Sequence, residues 1–200
     1  MSITPERLFK RKRQNLESEA LAGTRPRGQN AYHDEQLTHE LFHDTKEVRE
    51  HLVVLRFMED RFSKHCRVVE RLSHLEPLRL KHVQHLQSRL QGRLLDGVTD
   101  AQLLSSLHPT PAVCGLPQAV SRTQINNLES FDRGWYAGPV GYVSKQNSEF
   151  AVGIRSGVLE RDSLTVYTGA GIVEGSDPDR EWQELGHKLR SWEALLGNPS

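Results

Sequence analysis

Apolar residues recur at every third or fourth position between roughly 44 and 63. Val48, Leu52, Leu55, Met58 and Phe62 fall on one side, which predicts a long helix with that stripe toward a core. Asp44 and Glu47 open it in a D-x-x-E variant of the capping box. A period of two governs the later chain, where strands are expected near 137–143, 149–159 and 163–168, joined by turns at 145–148 and 160–162. In the middle strand Phe150, Val152, Ile154 and Val158 share parity and are expected to be buried. Ala151, Gly153, Arg155 and Gly157 take the other face.

The remaining segments are shorter. Residues 7–10 and 15–22 read as a hairpin around a solvated basic turn, Arg11-Lys12-Arg13. Two strand-like runs follow the long helix, near 65–72 and 78–91. In the second, alternation sends His82 and Gln84 one way and Val83 and His85 the other. Thr99 to Leu107 is a short helix with Thr99 as cap and Gln102 at the reciprocal position. It stops at a run with three prolines, His108 to Pro117, and another helix spans about 118–130. The last segment, Thr168-Gly169-Ala170-Gly171-Ile172-Val173, runs from a strand into a helix capped by Asp177, with Pro178 at its first position.

Several groups invite chemistry. Gly169 and Gly171 let backbone amides approach a bound group closely. Glu181 and Glu184 sit three apart on one helix face with Lys188 a turn further on, and Glu47 and Glu50 repeat that spacing. Small residues, a hydroxyl and arginines from Leu21 to Gly28, including Gly23 and Thr24, make a place that suits a carboxylate or an ordinary loop. Arg155 rises from a face thinned by glycines, which fits either capture of a carboxylate or a structural ion pair. His85 reads equally as a hydrogen-bonded core histidine or a ligand contact.

Composition narrows the class. Two hundred residues with 36% apolar content suit one domain or part of a larger one, and a formal net charge of zero gives no field to recruit nucleic acid or a membrane surface. The start lacks the apolar core of a signal peptide, and no run is long and apolar enough to cross a bilayer. Cys66 and Cys114 fit no metal spacing and read as two reduced thiols in a cytoplasmic protein.

Taken together, these blocks resemble the chorismate-binding enzyme family. The resemblance is carried by Thr4-Pro5-Glu6-Arg7-Leu8, Ala20 to Gly28, Glu47-Val48-Arg49-Glu50-His51 and Val83-Gln84-His85-Leu86. It continues through His108 to Pro117, Phe131 to Gly141, Phe150 to Arg155 and Gly169 to Lys188. Within the family, Leu107 to Pro117 looks like the isochorismate synthases, with salicylate- and anthranilate-forming members as the alternative.

The resemblance implies an α+β fold, antiparallel sheet packed with helices, and chorismate as the small-molecule substrate. It implies Mg²⁺ held directly by Glu50 and Glu184, with Glu47 and Glu181 holding its waters. Arg155, Tyr136, Lys188 and the amides near Gly169 and Gly171 would hold carboxylates, and Gly23, Thr24 and His85 would line the ring pocket. Glu6 would be the general acid. The family's domain is commonly a good deal longer, and its water-activating lysine precedes the block matching Glu6. The chain, residues 1–200, is therefore expected to represent the C-terminal half of that domain. The other half is expected from elsewhere, as a separate chain or as upstream sequence, and the alternative is a non-catalytic chorismate-binding fragment.

Overall fold

The computed structural model of the chain describes residues 1–197. Among these, nine strands and six helices form an α+β fold in which every strand pairing is antiparallel. The strands are β1 (Arg7–Lys12), β2 (Asn15–Pro26), β3 (Cys66–Arg71), β4 (Glu76–Arg79), β5 (Val83–Leu94), β6 (Pro139–Val143), β7 (Asn147–Val152), β8 (Ser156–Glu160) and β9 (Ser163–Tyr167). The helices are α1 (Ala31–His43), α2 (Thr45–His65), α3 (Asp100–Leu107), α4 (Pro111–Cys114), α5 (Gln118–Leu128) and α6 (Pro178–Leu196). Seven strands make one sheet in the order β3-β5-β2-β1-β7-β6, with β4 also on β5, while β8 and β9 form a separate ribbon. No helix among the described residues is long and apolar enough to cross a membrane.

Helix α2 lies across the middle of the sheet. Val54, Leu55, Met58 and Phe62 pack into a core shared with Leu8, Leu16, Leu90 and Leu94 from the strands. The helix is rotated from the expected stripe: Leu52 is exposed and Val48 half-buried, both on a surface groove, while Glu47 and His51 take the inward positions near the N-terminus. His51 meets Ser88 there, whose Oγ lies 2.9 Å from Nε2, while its Nδ1 is buried without a partner. Polar residues at inward positions are invisible to a hydrophobic period, and so the stripe was misplaced by a fraction of a turn.

The same effect hides α1 altogether. Its buried side chains are Asp34, Thr38 and Leu41, and two of the three are polar. Asp34 receives Arg27 through Nε and Nη2, both at 2.8 Å, and the amide of Gly28 at 2.7 Å. Those bonds hold its carboxyl at about 2, well below the usual range. Thr38 donates to Gln84 Oε1 at 2.6 Å. Gln84 is buried because α1 covers the face of β5 that also carries Leu86, Ser88 and Leu90, whereas His85 lies on the other face, where Arg155 covers it.

Two further expectations change. The basic stretch is a solvated turn only in part: Lys12 and Arg13 are exposed and Arg13 lies in the turn, but β1 continues to Lys12 and Arg11 reaches Asp100 on α3 at 2.7 Å. The predicted strand 149–159 is broken at Gly153–Arg155, where Arg155 takes a left-handed backbone with φ of 46°. β8 therefore leaves the main sheet, parity is lost, and Val158 is exposed rather than buried. The glycines around the break serve packing: a Cβ on Gly157 would stand 2.9 Å from the Trp192 ring, and one on Gly153 3.1 Å from the Gly138 carbonyl. At the far edge, β6 carries exposed Val140, Tyr142 and Val143. Cys66 and Cys114 are buried free thiols.

Candidate active site

The β1–β2 hairpin starts and finishes at the same end of the sheet. That brings Glu6, just before β1, beside Gly23 and Thr24 near the end of β2, with His85 on the neighbouring β5 and Arg155 at the β7–β8 break. These residues line a cavity of about 480 Å³ together with Glu50, Tyr136, Gly169, Gly171, Glu181 and Lys188. The size suits a small ligand. Glu47 and Glu184 line an adjoining cavity of about 370 Å³. Every residue singled out from the sequence thus faces one of two connected spaces.

Glu6 is almost fully buried. Burial pushes its carboxyl up to about 7, while a bond from Thr110 and the charges of Lys188 and Arg155 pull it partly back. Thr110 Oγ1 lies 3.4 Å from Glu6 Oε1.

At Gly23 the β2–β5 register shifts, and the residue adopts φ of 81°, a conformation that costs glycine least. The bulge turns the amide of Thr24 toward α2, where it donates to Glu47 Oε2 at 2.9 Å. Arg25 Nη1 reaches the other oxygen of Glu47 at 3.1 Å. Glu47 is thus not the reciprocal partner of the Asp44 cap; it ties the helix to β2. The other predicted box is present, with Thr99 and Gln102 bonded in both directions.

His85 and Arg155 form a buried pair, with Nη2 of the guanidinium 2.8 Å from Nε2 of the imidazole. A guanidinium only donates, so Nε2 accepts and the ring is neutral with its proton on Nδ1. Nδ1 lies 3.2 Å from both Thr24 Oγ1 and the Gly23 carbonyl. Burial, with Arg155 and Lys188 adding to it, lowers the imidazole to about 3. Arg155 itself has no acidic partner within ion-pair distance among the described residues, and its buried Nε is unpaired. The structural ion pair is therefore excluded in this conformation. Its backbone is held by Trp192 Nε1, which donates to the Arg155 carbonyl at 3.1 Å.

The loop after β9 closes the cavity. Gly169 passes so near Tyr136 that a Cβ would stand 2.4 Å from the phenol oxygen, and a Cβ on Gly171 would stand 2.2 Å from Glu50 Oε1. Lys188 donates to the Gly169 carbonyl at 2.8 Å and pairs with Glu184 at 2.6 Å. Burial alone would raise the Glu184 carboxyl, but Lys188 and Lys46 bring it below the usual value.

Four glutamates converge here from the first two turns of two helices, Glu47 and Glu50 on α2 and Glu181 and Glu184 on α6. Lys46, which the sequence reading missed, stands among them. Its Nζ is 2.8 Å from Glu181 Oε1, 3.4 Å from Glu47 Oε1 and 3.6 Å from Glu50 Oε2. The signal was present: Lys46 adjoins Glu47 and lies one turn before Glu50. Burial raises the Glu50 carboxyl to about 7; Lys46 lowers it and the neighbouring glutamates raise it. Oε2 of Glu181 is buried without a hydrogen-bond partner. An all-oxygen donor set with an unspent buried lone pair fits a hard divalent cation. In this conformation no three acidic, histidine or cysteine side chains among the described residues are already gathered closely enough to hold one.

Comparison with known proteins identifies the family and the fold. The family model described as chorismate binding enzyme matches residues 1–197. The chain is 44% identical to the chloroplastic isochorismate synthase of Catharanthus roseus over 96% of its own length and 33% of that protein's. It is 35% identical to anthranilate synthase component 1 of Saccharolobus solfataricus, covering 97% of the chain and 47% of the relative. Among solved structures, MenF, the menaquinone-specific isochorismate synthase from Escherichia coli, superposes with a TM-score of 0.88. The identity is 39%, over 98% of this chain and 45% of that one. The chain spans half or less of the length of these relatives.

Proposed function

Because the chain belongs to the chorismate binding enzyme family, we propose that it binds chorismate and takes part in its Mg²⁺-dependent conversion to isochorismate. The observation that carries this reading is a buried carboxyl, Glu6, set to ionise only near neutrality in the same cavity as Arg155 and Lys188.

The reaction adds water at C2 of the ring and expels the C4 hydroxyl. Glu6, protonated below about pH 7, donates its proton to the departing oxygen, which leaves as water, and the proton lost by the attacking water passes to a base contributed by the complementary portion of the domain. Thr110 orients the acid through Oε1. Arg155 presents its free N–H groups to a carboxylate, and neutral His85 fixes the plane of the guanidinium without competing for the anion. Tyr136 and Lys188 bound the opposite side, and Gly23 and Thr24 leave room for the ring. Glu50 and Glu184 would hold Mg²⁺ directly, with Glu47 and Glu181 on its waters. When bound, the ion supplies charge neutralisation and a fixed anchor for the ring carboxylate.

The anthranilate synthase relative keeps a second reading open, in which the same cavity serves ammonia rather than water. Product analysis separates the two. The chain is supplied with the complementary portion of the Escherichia coli relative, chorismate, Mg²⁺ and ammonium, and the products are resolved by liquid chromatography. Isochorismate is expected. Anthranilate would favour the second reading, and absence of chorismate binding in a direct titration would remove both.

A further inference from the structure

The four glutamates stand in a partition between two spaces. Glu50 lines the main cavity, Glu47 and Glu184 the second one, and Glu181 both. The Lys46 ammonium lies inside that partition, within 3.6 Å of Glu47, Glu50 and Glu181 at once. Its side chain also lines the second cavity and is largely buried. A divalent ion bound by the same oxygens would sit about 2 Å from them. An ammonium in its observed place would then face that ion at contact distance, where like charges in a poorly solvated site repel strongly. One oxygen, Glu181 Oε2, has no partner in the present arrangement, so Lys46 does not exhaust the donor set.

We infer that Lys46 is the resident cation of this cluster in the ion-free state, and that a divalent ion binds only by displacing its ammonium into the second cavity. The inference rests on the reading of the cluster as a divalent-cation site. Lys46 then has two effects of opposite sign. It keeps four close carboxylates tolerable when no ion is present, and it weakens ion binding by competing for the same oxygens. The arrangement makes the site responsive to ion concentration rather than permanently loaded.

The test titrates Mg²⁺ and Mn²⁺ alone, by calorimetry, into the chain and its Lys46→Met and Lys46→Arg variants at about pH 8. Lys46→Met is expected to bind the ion at least about tenfold more tightly. Its ion-free form should melt lower, and its melting temperature should rise more when the ion is added. Lys46→Arg keeps a cation in place and should bind no more tightly than the parent. Equal or weaker binding by Lys46→Met would overturn the inference while leaving the metal site standing. A folded parent and variants that all give no binding would defeat the metal reading and the inference with it. Should Lys46→Met fail to fold without the ion, a Mn²⁺-loaded crystal of the parent chain decides. Nζ is expected to have left its three carboxylates, and an ammonium still among them would overturn the proposal.

Discussion

Gly171 and Glu50 are in mutual exclusion: the Cβ that Gly171 lacks would stand 2.2 Å from Oε1 of the glutamate. The loop after β9 covers the carboxylate cluster only because position 171 carries no side chain. The obstructed atom is the far end of a flexible chain, so Gly171→Ala should move Glu50 rather than unfold the protein. The expected result is divalent-ion affinity reduced about tenfold, roughly 1.4 kcal/mol, with a melting temperature near the parent's. Gly92→Ala makes the contrast, since its Cβ would meet Cys66 Sγ at 2.5 Å in the core. That variant should lose about 1–3 kcal/mol of stability in denaturant titrations.

Arg155 is expected to be the main anchor of a substrate carboxylate. Arg155→Ala should weaken chorismate binding by about 2–5 kcal/mol, the range for losing one side of a buried charged pair. Position 155 has positive φ, so Arg155→Gly serves as the variant that removes the side chain without adding backbone strain. Both should bind equally poorly. An unchanged dissociation constant in a direct titration would take Arg155 out of the site.

Glu6 makes a signed pH prediction. Its folded value near 7 lies above the ordinary 4.5, so the native state holds a proton that the unfolded chain has already released. Its contribution is fully present below about pH 4.5 and is lost as pH rises through about 7. A rise from 4.5 to about 7 corresponds to something on the order of 3 kcal/mol. Glu6→Gln should remove that share of the fall between pH 5 and 8 in chemical unfolding experiments, leaving the share of Glu50, whose carboxyl burial also raises to about 7. In a reconstituted enzyme, the parent's rate should decline above about pH 7 as the acid ionises, and Glu6→Gln should be inactive throughout.

Turnover by the 200-residue chain alone is expected to be slow. Each candidate base in the cavity is committed: Lys188 is bonded to Glu184 and the Gly169 carbonyl, Lys46 is held by three carboxylates, and burial lowers the His85 imidazole to about 3. A positioned base typically contributes about 10²- to 10⁴-fold. The assay compares isochorismate formation by this chain with that of the chain plus the complementary portion of a relative. Equal rates would mean that a base lies among these residues after all.

Local chemistry in the sequence was legible where one residue type does one job. The Asp177 cap, the Thr99–Gln102 box and the hairpin appear where expected, while two of the expected strands, 78–91 and 149–159, are each split into two. The chosen site residues also converge, because the sequence blocks were read as a set. What escaped was polar burial. Asp34, Thr38, Gln84 and His51 occupy inward positions that a hydrophobic period assigns to apolar residues. Thr38 pairs with Gln84 and His51 with Ser88 across distant segments, and Asp34 pairs with Arg27 across a loop rather than at a helical spacing. The break at Arg155 was equally hidden, since alternation continues through it while the backbone does not.

Strand β6 has a consequence for handling the protein. Residues Pro139 to Val143 carry no charge, and Val140, Tyr142 and Val143 are exposed along an outer edge of the seven-stranded sheet. An edge of that kind accepts another strand through backbone bonds and apolar contact. Neither is much screened by salt. Light scattering from the chain should therefore climb with protein concentration at any ionic strength, and Val140→Lys should suppress it without altering ligand binding, since Val140 does not line the cavity. A preparation that stays monodisperse at high concentration would show that this edge is quiet.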